Sequence, residues 1–115
     1  MEPAHPLHEA WAEVGSHPRP VAKSLHSGEG FNLVAFAFGE GMELKDHAAK
    51  WPSRLTVLRG AVVYSEARRT VNLSALETVD IPAGVVHWVL ALEKSLCLLS
   101  QAKPKPDPTA HGEPA

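Results

Sequence analysis

Two histidines, His47 and His87, are the residues of this 115-residue chain with the greatest potential for chemistry. His87 follows a turn-like segment near the start of a predicted strand, and His47 lies on a predicted strand that could face it, so the two imidazoles can converge. Converging imidazoles bind a metal ion or hydrogen-bond a ligand. Trp51 and Ser53 follow His47 closely and would add a stacking surface and a hydroxyl to the same site.

Tyr64 is the only tyrosine of the chain and completes the set of candidate ligand-binding residues. Inside a barrel its phenol would act as an acid or a hydrogen-bond donor. A strand tyrosine with its hydroxyl in water is the ordinary alternative, and the sequence leaves both open. Trp88 follows His87 directly, so strand alternation places it on the opposite face, where we expect packing or an interface.

Short strands must position these side chains. Runs rich in Val, Leu, Phe and Thr, separated by Gly or polar turns, predict strands near 21–26, 31–38, 43–48, 54–59, 61–66, 69–74, 77–81, 86–92 and 95–101. Before them, Leu7, Trp11 and Val14 recur at helical spacing and predict a short amphipathic helix over 7–14. Many short strands with no helical pattern between them are typical of an antiparallel sandwich or barrel.

Two sequence blocks connect the histidines to a known pattern. The first is a glycine, five residues, a histidine and a later glycine; the second is Pro-x-Gly, two residues and a histidine. These positions are Gly41, His47, Gly60, Pro82, Gly84 and His87. In both blocks, and in the distance between them, the chain resembles the cupin family. The resemblance implies an all-β fold, a double-stranded β-helix or jelly-roll cupin barrel, here with a short N-terminal helix.

The chain departs from that pattern at the positions that would hold a metal. Cupins that bind metal typically use three histidines and one glutamate, but the second histidine position is Ala49 and the glutamate position is Ser53. Only His47 and His87 remain, and neither alanine nor a neutral hydroxyl replaces the missing ligands well. Strand alternation also predicts that Lys45 shares a face with His47, where it would repel a cation. Two further motif positions, glycine and asparagine in the family, hold Leu76 and Ala91.

Three interpretations of the histidine pair stay open. The two residues are satisfied by each other, by a backbone carbonyl or by water; or they are polar anchors in a metal-free pocket. In the third interpretation they bind a metal with a further ligand, such as His26 or Glu43. The leading hypothesis is non-catalytic or weakly catalytic binding of a small molecule in the barrel, anchored by His47 and His87, with no cofactor.

Two other functions remain as alternatives. One is a metal-dependent cupin enzyme, of isomerase or dioxygenase type, acting on a small carbonyl compound or sugar with iron, manganese, nickel or zinc as a Lewis acid. The other is a structural dimer whose barrel is filled with side chains. The volume of the barrel cavity separates the structural dimer from the binding protein and the enzyme, because a ligand pocket needs on the order of 300 Å³.

Composition limits the remaining possibilities. A net charge of −2 with no basic patch argues against nucleic-acid binding. The absence of a long apolar run and of a signal-like start predicts no membrane association, and a single cysteine, Cys97, fits the cytoplasm. The resemblance is to bacterial proteins. We expect three segments: residues 1–20 with the helix, the barrel over 21–102, and a disordered proline-rich tail over 103–115.

A homodimer is also expected. The run from Phe31 to Phe38 is polar only at Asn32, and the run from Leu96 to Leu99 has no polar residue. A strand that is covered on both faces need not alternate. We therefore predict that a second subunit covers part of the 31–38 strand.

Overall fold

The computed structural model describes residues 5–16 and 18–103, without the side chains of Ser16, Asp46 and His47. The predicted tail, apart from Lys103, lies outside the described residues. A helix, α1 (Pro6–Glu13), continues into a 3₁₀ turn and is followed by nine strands. These are β1 (Val21–Ser27), β2 (Gly30–Phe38), β3 (Glu43–Ala48), β4 (Ser53–Arg59), β5 (Ala61–Glu66), β6 (Arg69–Ser74), β7 (Thr78–Ile81), β8 (Val86–Ala91) and β9 (Ser95–Lys103).

The strands form two antiparallel sheets that pack face to face, which confirms the predicted all-β barrel. The five-stranded sheet has the order β1-β2-β9-β4-β7, and the four-stranded sheet has the order β3-β8-β5-β6. The core between them contains buried side chains from both sheets, including Phe38, Leu55, Val57, Val62, Tyr64, Val89 and Cys97. No helix among the described residues is long and apolar enough to cross a membrane.

Helix α1 packs on the outer face of the five-stranded sheet. Its buried residue Ala10, together with Val14 of the following 3₁₀ turn, packs with Val21, Ala37 and Leu96 in a second apolar cluster. Ala37 alternates with the inward-facing phenylalanines of β2, so the helix covers the side of the sheet that faces away from the core. The chain's own helix therefore explains why the end of β2 is apolar on both faces, and the homodimer stays a prediction.

Two turns show what the backbone requires at their tightest points. Gly60 joins β4 to β5 with φ at 92°, and a Cβ there would lie only 2.3 Å from the Ser95 hydroxyl. Leu76, at the motif position that is glycine in cupins, has φ at 73° and is 81% exposed. A left-handed conformation is unfavourable for leucine, so this turn stores strain that a glycine would not.

Candidate functional site

A cavity of about 300 Å³ lies between the two sheets at one end of the barrel. Both sheets and the segment between β3 and β4 contribute to its wall, which is mostly apolar. The lining residues are Phe36, Leu44, Ala48, Ala49, Lys50, Trp51, Ser53, Ile81, His87, Leu99 and Gln101. A larger and more open depression, of about 580 Å³, shares Ser53, Ile81 and Gln101 with this cavity. It lacks His87 and Trp51, both candidate ligand-binding residues, so the cavity between the sheets is the candidate site.

His87 projects into this cavity from β8 and is 7% exposed. Its Nδ1 lies 3.2 Å from the backbone oxygen of Val85, and its ring centroid is 5.6 Å from that of Tyr64. The backbone of His47 is the direct register partner of His87 in the β3–β8 ladder. The side chain of His47 lies outside the described part of the structure, so the ladder places position 47 beside position 87 and no more.

A β-bulge in β3 overturns the prediction for Lys45. The register slips between Leu44, which pairs with Val89, and His47, which pairs with His87. The extra residue breaks the strict alternation on which the prediction relied. Lys45 is consequently exposed, with its Nζ 3.8 Å from a carboxylate oxygen of Glu43, and it does not line the cavity.

The five-stranded sheet carries a neutral hydrogen-bonded row, which we call the neutral wall: Asn32, Gln101 and Ser53, of which Gln101 and Ser53 line the cavity. These residues are register partners across β2, β9 and β4. The Asn32 amide donates to Gln101 Oε1 at 3.5 Å, Gln101 Nε2 donates to Ser53 Oγ at 3.3 Å, and Ser53 Oγ donates to the Trp51 carbonyl at 3.1 Å. Oδ1 of Asn32 is buried without a hydrogen-bond partner in the described part of the chain.

Behind His87, on the four-stranded sheet, lies an ionic group that we call the charged wall: Glu66, Tyr64 and Arg69, none of which lines the cavity itself. Glu66 is the register partner of His87 on β5, and its side chain is only 9% exposed. The Tyr64 hydroxyl donates to the Glu66 carboxylate, and Arg69 Nε lies 3.3 Å from the same carboxylate. Arg69 also donates to the Asp80 carbonyl on β7, so it joins the two sheets.

Titration behaviour follows from these contacts. The hydrogen bond from Tyr64, and then the Arg69 guanidinium, hold the pKa of Glu66 below its usual range. Burial, together with the neighbouring carboxylate, raises the pKa of the Tyr64 phenol to about 12. At neutral pH the phenol is therefore a hydrogen-bond donor and Glu66 is an anion balanced by Arg69.

The structure brings together some of the candidate residues and separates others. Trp51 and Ser53 line the cavity with His87. Tyr64 is fully buried behind His87, with its hydroxyl on Glu66, and it is not part of the cavity wall. Trp88 is 38% exposed on the other face of β8.

The two suggested third metal ligands do not line the cavity. His26 stacks on Phe31, with ring centroids 4.2 Å apart, and Glu43 pairs with Lys45. The acidic residue in the ladder row of the histidines is instead Glu66. The sequence shows only that Glu66 lies two residues after Tyr64, on the same face of a strand. It does not show the strand register that brings Glu66 beside His87.

The donor set does not fit the four-ligand metal centre that the family resemblance implies. Ala49 lines the cavity and offers no donor atom. Ser53 Oγ, at the glutamate position, already donates to the Trp51 carbonyl and accepts from Gln101. Among the described side chains, which exclude that of His47, no three His, Cys, Asp or Glu residues are grouped as a metal site requires.

Comparisons with known proteins support the architecture. No protein-family model matches the chain, and no curated protein matches it. Among solved structures, an RmlC-like cupin protein from Desulfovibrio desulfuricans is 24% identical, with 91% of this chain and 100% of that chain covered and a TM-score of 0.74. A cupin superfamily protein from Desulfitobacterium hafniense is 14% identical, with coverages of 90% and 93% and a TM-score of 0.73. KdgF from Halomonas sp. is 21% identical, with coverages of 81% and 86% and a TM-score of 0.68. The chain is thus a small domain with the cupin fold.

Proposed function

We propose that this protein binds a small organic molecule in the cavity between its two sheets, without a metal ion. The observation that supports this most directly is the cavity itself, about 300 Å³ of mostly apolar wall with a few polar groups. Small-molecule sites commonly have this construction, since apolar surface supplies affinity and a few polar groups set orientation. A barrel filled with side chains would not leave such a volume.

The polar anchors of the proposed site come from opposite walls. His87 reaches the cavity from the four-stranded sheet, while Ser53 and Gln101 reach it from the five-stranded sheet. Trp51 adds an aromatic surface where the β3–β4 segment borders the cavity. A ligand between the walls would exchange hydrogen bonds with both sheets and pack its apolar part against Trp51.

His47 is the second proposed anchor. Directly opposed residues of an antiparallel ladder share a sheet face, with Cβ atoms about 5 Å apart. Since position 47 opposes His87 in the β3–β8 ladder, the pair would present two imidazoles to one ligand. We expect His47→Ala and His87→Ala each to weaken ligand binding.

One observation favours a second candidate, a metal-dependent enzyme of isomerase or dioxygenase type. Positions 47, 87 and 66 form a single ladder row, so a carboxylate lies beside two histidine positions. Glu66 is nevertheless engaged by Tyr64 and Arg69. Metal content of the untagged protein, compared with His87→Ala, decides between the candidates: near-stoichiometric metal that is lost on substitution would favour the enzyme.

A ligand screen with a filled-cavity variant tests the leading proposal. Ala49 lines the cavity, so Ala49→Phe should occupy it, whereas Ala67→Phe places the same ring on an exposed turn. We expect panel compounds that raise the melting temperature of the wild type and of Ala67→Phe to have no effect on folded Ala49→Phe. Ligand binding that survives in Ala49→Phe would contradict the proposal.

A further inference from the structure

We infer that the ligand is a small organic anion, a carboxylate with an apolar body, and that Lys50 binds its charged group. This inference rests on the proposed function and adds the chemical class of the ligand. It is carried by the charges around the cavity, by its size, and by the position of Lys50 beside Trp51.

The charges around the cavity are asymmetric. Among the described lining residues none is acidic, and Lys50 is the strong base. The carboxylate in the ladder row of His87, that of Glu66, is paired with Arg69 and accepts a hydrogen bond from the Tyr64 hydroxyl. The charge of Glu66 is therefore compensated away from the cavity, and Lys50 is the main source of electrostatic potential at the site.

Lys50 is placed to meet a ligand that packs on Trp51. Its Nζ lies 5.3 Å from the centroid of the Trp51 ring, and both residues line the cavity. A carboxylate whose apolar body packs against Trp51 would lie within reach of this ammonium and form a charge-assisted hydrogen bond. A cationic ligand would be repelled by Lys50 and would find no carboxylate among the described residues that line the cavity.

The volume sets the size of that anion. A cavity of about 300 Å³ is at the small end of the range of ligand pockets, which suits a small compact ligand. The apolar part of the wall, formed by Phe36, Leu44, Ile81 and Leu99, suits a ring or a branched chain rather than a sugar covered with hydroxyls. Phenylacetate has this size and chemistry, and phenylacetamide is its neutral counterpart of the same shape.

Titration calorimetry with these two probes tests the inference on wild type, Lys50→Met and Lys45→Met. Lys45 is the matched control, since it lies five residues away, is exposed and stands outside the cavity. We expect phenylacetate to bind the wild type and Lys45→Met about tenfold more tightly than phenylacetamide, the strength of one charge-assisted contact. In Lys50→Met the two affinities should become equal through loss of phenylacetate binding.

Other outcomes would overturn the inference in distinguishable ways. If phenylacetamide binds as tightly as phenylacetate and Ala49→Phe abolishes both, the anion preference is wrong and the cavity remains a ligand site. If Lys50→Met weakens both probes equally, Lys50 is not the group that reads the charge. If neither probe binds the wild type, the inference fails; the proposed function fails with it only when the wider ligand screen is also negative.

Discussion

The neutral wall and the charged wall pair their polar groups with different chemistry. The neutral wall links its side chains through amides and a hydroxyl, at distances of 3.1 to 3.5 Å, and leaves Asn32 Oδ1 without a described partner. The charged wall satisfies a nearly buried carboxylate with a phenol and a guanidinium. Hydrogen bonds to charged groups are roughly twice as strong as neutral ones, so the charged wall should contribute more to stability and respond to pH.

The difference also separates structure from binding. Glu66, Tyr64 and Arg69 hold one another and join the sheets, whereas the neutral wall exposes Ser53 and Gln101 to the cavity. Changes in the charged wall should therefore mainly alter folding, and changes in the neutral wall should mainly alter the ligand. The following variants break or sharpen this distinction.

Removing the Tyr64 hydroxyl should have the largest effect. Tyr64→Phe keeps the buried ring but deprives the Glu66 carboxylate of a donor, with an expected loss of about 2 kcal/mol in the free energy of unfolding. Ser53→Ala removes a neutral bond from the other wall and should cost about 1 kcal/mol. Urea unfolding followed by circular dichroism measures both, and a larger loss for Ser53→Ala would contradict the ranking of the walls.

Leu76→Gly should change the stability of the protein without altering the neutral wall or the charged wall. Relief of the left-handed leucine should outweigh the greater flexibility of unfolded glycine, for a net gain of up to about 1 kcal/mol. Leu92→Gly is the control, because Leu92 is also exposed but has no positive φ. The melting temperature should rise for the first variant and fall for the second, with ligand affinity unchanged in Leu76→Gly; a fall in both would show that the turn is not strained.

Acid should act on the charged wall. Because the pKa of Glu66 in the folded protein lies below its ordinary value of 4.5, its carboxylate stabilises the fold above that pH. The contribution disappears as the pH falls through the folded pKa, so Glu66→Gln should flatten the acid side of the stability profile.

Asp80 offers a comparison on the outer surface, where the hydrogen bond from Arg54 lowers its pKa in the same direction. Asp80→Asn should also flatten the acid side, but less so in high salt, because exposed ion pairs are screened. Equal sensitivity to salt for the Glu66 and Asp80 effects would contradict the shielded position of Glu66.

The smallest effect on stability is expected at Asn32. Its Oδ1 is already buried without a described partner, so replacement by leucine removes an unsatisfied atom together with one long hydrogen bond. Asn32→Leu should therefore change the free energy of unfolding by less than about 1 kcal/mol. A substantially larger loss would show that a partner of Asn32, such as a buried water, contributes to the neutral wall.

Local pattern was enough to predict the helix and the nine strands, because alternation and turn residues are encoded within a few positions, whereas the cupin fold was predicted from the resemblance of two sequence blocks to that family. His87, Trp51 and Ser53 line the cavity; the two sequence blocks pointed to His87 and Ser53, and Trp51 was a candidate because it follows His47 closely. Lys45 was misplaced because a bulge changes the face of a strand without a clear sequence signal.

The residues that sequence reasoning missed depend on strand register. Gln101 donates to Ser53, which is 48 residues away in the sequence. Glu66 lies beside His87 only because β5 pairs with β8 in this register. Such pairings are set by the whole fold rather than by neighbouring residues. Asn32 was visible as the single polar residue of its strand, but its contact with Gln101 was not.

The central claim, that the cavity binds its ligand without a metal ion, can be tested most directly by calorimetry on untagged protein. The tightest compound from the ligand screen would be titrated into wild type and Ala49→Phe, each after treatment with a chelator. We predict unchanged affinity for the chelator-treated wild type and no binding to the filled variant. Binding that requires an added divalent metal, or that persists in Ala49→Phe, would contradict the account.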